Sequence, residues 1–181
     1  MLYKKLTIEF KEHPRRLSRV LLVRSDIDLF SLGVAIVVSL GGMFEHYFLF
    51  RNKTHSFLPE NFDQCDDELF MAHFHLSDLG DQFSFEYDTG DGWDFHVKVS
   101  KQSIEKRSRK WAHVIDGVGQ GIWEDNIRTL LAYLDGEIAA DFTGVDEALG
   151  YTLPWNFHNQ TVGDFDQPLD IVSLEETFNS D

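Results

Sequence analysis

Acidic and aromatic side chains in one short stretch, residues 83–99, offer the clearest chemistry in this sequence. Within FSFEYDTGDGWDFHVKV, Asp88 and Asp91 are two carboxylates separated by two residues, and Trp93 follows them closely. Carboxylates placed in this way bind cations or take part in acid–base chemistry. Asp and Gly are also the residues that turns prefer, so a purely structural role is the alternative. The spacing does not match an EF-hand loop.

The residues on either side of these aspartates predict a β-hairpin. Phe83, Phe85 and Tyr87 alternate with polar residues, and alternation resumes in a second run: Trp93, Phe95, Val97 and Val99. Alternation of this kind buries one face of each strand. The glycines and aspartates of residues 88–92 supply the turn. The hairpin therefore carries its two carboxylates at a strand end.

Histidines are the other candidates for metal chemistry. His46 lies in residues 44–50, whose alternation predicts a strand with His46 on an aromatic face, so it is either a ligand or a core histidine. His73 and His75 would share a face of a strand over residues 69–76. Such a pair chelates a metal if a third ligand arrives, and otherwise lies on the surface.

The remaining pattern predicts a single α+β domain over residues 1–181, with a core of about residues 1–135 and a tail, 136–181, packed on it. A mostly antiparallel sheet around the central aromatic hairpin would pack against two main helices. The expected helices span residues 28–40 and 124–134, and the expected strands span residues 3–10, 17–23, 44–50, 83–87 and 93–99. The apolar run at 29–40 is too short to cross a membrane, so no membrane association is predicted.

Charge is distributed very unevenly along the chain. The net charge is −15, yet residues 96–112 contain six bases and one acid, while residues 61–95 contain ten acids and no base. This balance disfavours direct binding to nucleic acid or anionic lipid. The basic stretch SKQSIEKRSRK, residues 100–110, is then a solvated loop or a local contact. A single cysteine, Cys65, excludes an internal disulfide and agrees with a cytoplasmic location.

The segment YDTGDGW, residues 87–93, resembles the Y-D-x-G-D-x-W motif of the plasmid pRiA4b ORF-3-like family. The resemblance extends over about residues 1–135 through three looser segments: LSRV with Arg19, a segment with Gly42, His46 and Phe50, and Gly117 to Asp125. The sequence departs from the family where Phe95 replaces a histidine, and where Gly121-Ile122-Trp123 replaces Cys-Pro-Pro.

The resemblance implies a binding cluster drawn from the matching segments: His46, Tyr87, Asp88, Asp91, Trp93, Glu124 and Asp125. If a divalent metal is the cofactor, its candidate ligands are His46, Asp88 and Asp91. Glu124 and Asp125 also suit the N-terminus of a helix, which is their structural explanation.

Three functions follow, in order of preference. The first is a binding or interaction domain for a protein or a small molecule, because no G-x-S-x-G, H-E-x-x-H or P-loop motif is present. The alternative is a metal-dependent hydrolase, with phosphodiesters as one substrate class. The third is a DNA-associated plasmid or mobile-element protein, which only the family resemblance suggests and which the charge disfavours.

Overall fold

A computed structural model of the chain describes residues 1–59, 68–143 and 161–178. These residues form an α+β fold, as predicted, with one eight-stranded sheet. The strands are β1 Leu2–Phe10, β2 Ser18–Arg24, β3 Phe48–Arg51, β4 Ser56–Leu58, β5 Glu68–Phe70, β6 Gln82–Tyr87, β7 Trp93–Glu105 and β8 Ala112–Val118. The helices are α1 Leu29–Ser39, α2 Leu76–Leu79, α3 Ile127–Leu134 and α4 Ile171–Thr177.

The hairpin of β6 and β7 lies at the centre of the sheet, whose strand order is β5-β4-β3-β6-β7-β1-β2-β8. Neighbouring strands are antiparallel except for the parallel pair β4 and β5. Strand β1 inserts beside β7, with Phe10 opposite Phe95 and Leu2 opposite Glu105. The prediction of a mostly antiparallel sheet around an aromatic hairpin is therefore confirmed.

One face of the sheet is buried by aromatic rings, and the other is polar. On the buried face, Phe50 and Phe85 lie 5.2 Å apart between ring centroids, and Phe10 lies 5.6 Å from Trp93. The polar face carries ion pairs between neighbouring strands: Lys98–Glu9, Arg51–Glu86 and Lys11–Asp94. A sheet with one apolar face needs a second layer on that face only, which the helices provide.

Helix α1 belongs to this second layer. The Asp28 carboxylate accepts from the Ser31 amide at 2.7 Å, which caps the first turn, and Gly41, at φ 70°, follows its end. The helix packs so closely on β3 that a Cβ atom at Gly33 would lie 1.9 Å from the Phe48 ring. None of the helices in the described residues is long and apolar enough to cross a membrane.

The predicted strand over residues 44–50 is too long, because β3 begins only at Phe48. Residues 44–47 form a loop in which Phe44 is exposed at φ 62°, and His46 is therefore not on a strand face. The loop is held instead by polar contacts to residues of the candidate site. The strand predicted over residues 69–76 ends at Phe70 instead, and His73 then lies in a 3₁₀ turn while His75 precedes α2. The two histidines therefore share no strand face, and both are exposed, as the alternative of surface histidines predicts.

The glycines at positions 117, 119 and 121 predict a flexible loop over residues 114–121, but most of this segment is a strand. Strand β8 continues to Val118, and Gly121 then approaches the end of α1 at φ 132°. A Cβ atom at Gly121 would lie 1.9 Å from the Leu40 carbonyl oxygen, so only glycine fits this close contact. The sequence also predicts an acidic loop over residues 61–68, which contains Cys65, and a short helix over residues 145–149. Apart from Glu68, both lie outside the described residues, as do residues 154–160.

The described part of the tail packs against the edge of the sheet. Glu175 on α4 pairs with Lys110 at 2.7 Å and with His113 at 3.3 Å, and Phe178 lies edge-on to Trp111. The sequence also predicts a last short helix over residues 171–178, which is confirmed as α4. The single-domain organisation over residues 1–181 stays a prediction.

Acidification is expected to destabilise the folded state through His113. Burial lowers the pKa of His113, which is 5% exposed, so the folded state binds fewer protons than the unfolded state once the pH falls below the ordinary histidine pKa of about 6.5. Stability is then lost as the pH falls from that value towards the lower folded-state pKa. We expect the melting temperature of a His113→Gln variant to fall less between pH 7.5 and 5.5 than that of the wild type. Parallel pH profiles would contradict this.

Candidate cation site around His46

Three carboxylates converge on the imidazole of His46. Nδ1 lies 3.5 Å from Oδ1 of Asp88, and Nε2 lies 3.0 Å from Oδ1 of Asp125 and 4.0 Å from Oε2 of Glu124. Nε2 is buried and makes no hydrogen bond among the described residues despite the nearby Asp125 oxygen. We refer to His46, Asp88, Glu124 and Asp125 as the acidic histidine cluster.

The hairpin turn positions Asp88 for this cluster. Asp88 follows β6 at φ 52°, and its amide donates to the Tyr47 carbonyl at 2.9 Å. Its Oδ1 accepts from the amides of Gly90 at 3.0 Å and Asp91 at 3.2 Å. Asp88 thus makes the turn, as the structural alternative predicts, and its buried carboxylate also faces His46.

Glu124 lies beside the imidazole and is almost completely buried, with a residue exposure of 1%. Its Oε1 accepts from the Tyr87 hydroxyl at 2.8 Å and from the Met43 amide at 2.6 Å. Burial and the bond to Glu124 raise the pKa of the Tyr87 phenol, so the phenol remains the donor. Oε2 is buried and has no hydrogen-bond partner in the part of the chain that the structure describes.

Asp125, rather than Asp91, completes the set of metal-binding atoms. One ligand atom from each of His46, Asp88 and Asp125 can be chosen so that all lie within 4.8 Å of one another. Asp91 accepts from the Ile127 amide at 3.1 Å and so caps the first turn of α3. Asp125 has a φ of 56° and a side chain that is 64% exposed, which leaves one side of the cluster open to solvent.

The aromatic candidates differ in their relation to the cluster. The ring of Tyr87 lies edge-on to His46 at 6.1 Å between centroids. Trp93 is fully buried beside Phe10, and its Nε1–H has no acceptor within the described ranges. Trp93 therefore supports the core behind the site, whereas Tyr87 contacts the cluster directly.

The arrangement can hold a cation through nitrogen and oxygen donors. An imidazolium at His46 would contribute one positive charge against three ionised carboxylates. Carboxylates this close repel one another unless protons or a cation neutralise them. Mixed imidazole and carboxylate donors suit Mn²⁺, Fe²⁺ and Zn²⁺.

Arg19 is a structural residue whose role the sequence analysis did not identify. Its guanidinium is fully buried and donates to the carbonyls of Ser39, Ser18, Val118 and Gln120 at 2.6 to 3.1 Å. Burial lowers its pKa to about 10, which still leaves it charged at neutral pH. The sequence pattern does indicate that Arg19 is buried, because Arg19 alternates in phase with three buried residues: Leu17, Leu21 and Val23.

Comparison with known proteins identifies relatives by family and by fold. The chain is similar to the crystal structure of a protein of unknown function, MM3350 from Methanosarcina mazei Go1, with a TM-score of 0.66 and 17% identity over 74% of this chain and 82% of that chain. At this identity, the likeness shows the fold alone. A search of curated proteins found no match. Residues 3–133 match the model of the plasmid pRiA4b ORF-3-like protein family, and the chain belongs to that family.

Proposed function

We propose that this chain is a binding domain for a divalent transition-metal ion, held at the acidic histidine cluster by His46, Asp88 and Asp125. The observation that carries the proposal is the buried Oε2 of Glu124, which has no hydrogen-bond partner among the described residues and lies 4.0 Å from His46 Nε2. An ionised carboxylate that is buried without full compensation is costly, and a nearby cation would lower that cost.

The backbone supports a site that is formed before any ligand binds. Phe44, Asp88 and Asp125 have positive φ although none is glycine, and all three lie in the cluster or its loop. Such conformations persist only where surrounding contacts fix them, and they concentrate at binding and catalytic sites. Met43 and Phe44, which precede His46 in the sequence, also have exposed apolar side chains.

A metal-dependent hydrolase is the second candidate, and the openness of the site favours it. Three protein ligands and an exposed Asp125 leave coordination positions for water and substrate, which is typical of catalytic rather than structural metal sites. Hydrolysis of bis(p-nitrophenyl) phosphate by Mn²⁺-loaded protein, lost in a Glu124→Gln variant that still binds Mn²⁺, is the expected result. Equal rates with and without the protein would exclude this candidate.

Metal titration of chelator-treated protein tests the main proposal. We expect isothermal calorimetry to show one site for Mn²⁺ or Zn²⁺ and weaker binding of Mg²⁺ and Ca²⁺, because an imidazole donor favours transition metals. An ion held at a concentration of about 100 times its Kd raises stability by about 2.7 kcal/mol, which is visible as a higher melting temperature. No heat and no thermal shift with any of the four ions would exclude the proposed site.

A further inference from the structure

An open strand edge lies at the end of β7 remote from the acidic histidine cluster. Strand β7 runs to Glu105, but β6 pairs with it only as far as Lys98. Beyond that point β1 is the partner on one side, and no described strand pairs on the other. Residues 101–105 are all exposed. At about 3.3 Å per residue, this edge ends about 40 Å from Trp93.

The hydrogen-bond pattern shows which backbone groups face the open side. Met1 and Lys106 exchange both of their backbone bonds, at 3.0 and 3.1 Å. Bonded and non-bonded pairs alternate along an antiparallel ladder, so Ser103 and Glu105 belong to non-bonded pairs with β1. Their N–H and C=O groups point away from β1. The edge therefore offers two sets of backbone donors and acceptors, spaced as an added strand requires.

The side chains around this edge are cationic although the chain as a whole carries a charge of −15. Lys101, Lys106, Arg107 and Arg109 have no carboxylate within ion-pair distance in the described ranges, whereas Lys110 next to them is paired with Glu175. Ile104 adds apolar surface, with 41% of its area exposed. Together these features form a basic strand edge with an apolar component.

We propose that residues 101–105 bind an extended acidic segment of a partner protein, which adds to the sheet as a further strand beside β7. Backbone bonds to Ser103 and Glu105 would supply the pairing, and the four cations would select carboxylates. Lysines on a strand edge also oppose pairing between identical edges. Pairing with the same edge of a second copy is therefore opposed, since both edges are basic and both chains carry a charge of −15.

Fluorescence anisotropy with a labelled peptide of alternating Glu and Val residues, four of each, tests this inference. We expect the wild type to bind it more tightly than a Lys–Val peptide, and less tightly as salt rises. A Ser103→Pro variant removes one outward N–H and leaves the ladder to β1 intact, so its affinity should fall about tenfold. Peptide binding should also slow hydrogen exchange at the Ser103 and Glu105 amides of the wild type. This second readout does not depend on whether the variant folds.

A matched pair of charge variants separates this edge from general electrostatics. Lys101→Glu with Arg107→Glu should abolish peptide binding, whereas Lys53→Glu with Arg128→Glu, which alters two exposed cations elsewhere, should retain it. A five-nucleotide DNA strand carries the same four negative charges without strand-pairing groups and should bind more weakly. The proposal is overturned by absence of peptide binding, by equal binding of the DNA, or by unchanged exchange at both amides.

Discussion

A double variant, Asp88→Asn with Asp125→Asn, is expected to bind Mn²⁺ about 100-fold more weakly than the wild type while its metal-free form melts at the same or a higher temperature. Loss of a residue that only supports a ligand costs about 10- to 100-fold in metal affinity, and here two proposed ligands are removed. The metal-free form gains because two negative charges leave a cluster in which three carboxylates surround one imidazole.

Asparagine is a suitable replacement because it preserves the backbone at both positions. Asp88 and Asp125 adopt φ values of 52° and 56°, a region that asparagine tolerates better than most residues. In the Asp88→Asn change, the side-chain amide oxygen can still accept from Gly90 and Asp91, as the carboxylate does. The variant therefore removes charge and leaves the turn in place.

Asp91→Asn is the matched control, because Asp91 caps α3 and asparagine caps helices equally well. Calorimetric titration with Mn²⁺ and thermal melting without metal should give values close to those of the wild type. If the double variant instead melts lower and binds Mn²⁺ unchanged, then Asp88 and Asp125 serve the fold alone.

Replacement of Arg19 by alanine is expected to lower the free energy of unfolding by about 4 kcal/mol. The variant removes the donors of four hydrogen bonds to carbonyls of α1, β2, β8 and the following loop, and the bond to the α1 carbonyl, that of Ser39, is buried. These carbonyls belong to segments far apart in the sequence, so the loss separates the end of α1 from the sheet. Urea denaturation followed by circular dichroism measures the effect.

Two control variants define what Arg19 contributes. Arg19→Lys retains the positive charge, but an ammonium group lacks the planar guanidinium whose several N–H groups donate to carbonyls on different sides. This variant should therefore recover only a part of the stability. Arg15→Ala, at an exposed position of the preceding segment, should cost less than about 0.5 kcal/mol. A loss below about 1 kcal/mol for Arg19→Ala would contradict the role assigned here.

The central hairpin could be predicted from sequence because its determinants are local. Phe83, Phe85 and Tyr87 alternate with polar residues, and the alternation alone identifies the buried face. The prediction of a strand over residues 44–50 was wrong for residues 44–47, because the alternation of aromatic residues continues into a loop that is held by polar contacts. The Met43 amide bonds Glu124, and no local pattern encodes a partner 81 residues away.

The residues of the candidate site were predicted in part from the family resemblance and not from physical inference alone. His46, Asp88 and Glu124 come from three separate segments, and their meeting depends on how α1 and the hairpin pack. The choice between Asp91 and Asp125 could not be made beforehand. Both lie in turns, and only the tertiary structure shows that one carboxylate caps a helix while the other faces the imidazole.

The insertion of β1 beside β7 has a consequence for synthesis of the chain. Strand β1 can pair with β2 at once, but its other partner begins only at Trp93. At ribosomal rates of about 5–20 residues per second, the residues between Phe10 and Trp93 take roughly 4–16 s to appear. During that interval β1 has one unpaired edge, which is the condition in which nascent chains recruit chaperones. Completion of the sheet is therefore a late event in synthesis, and folding is limited by contacts between distant segments.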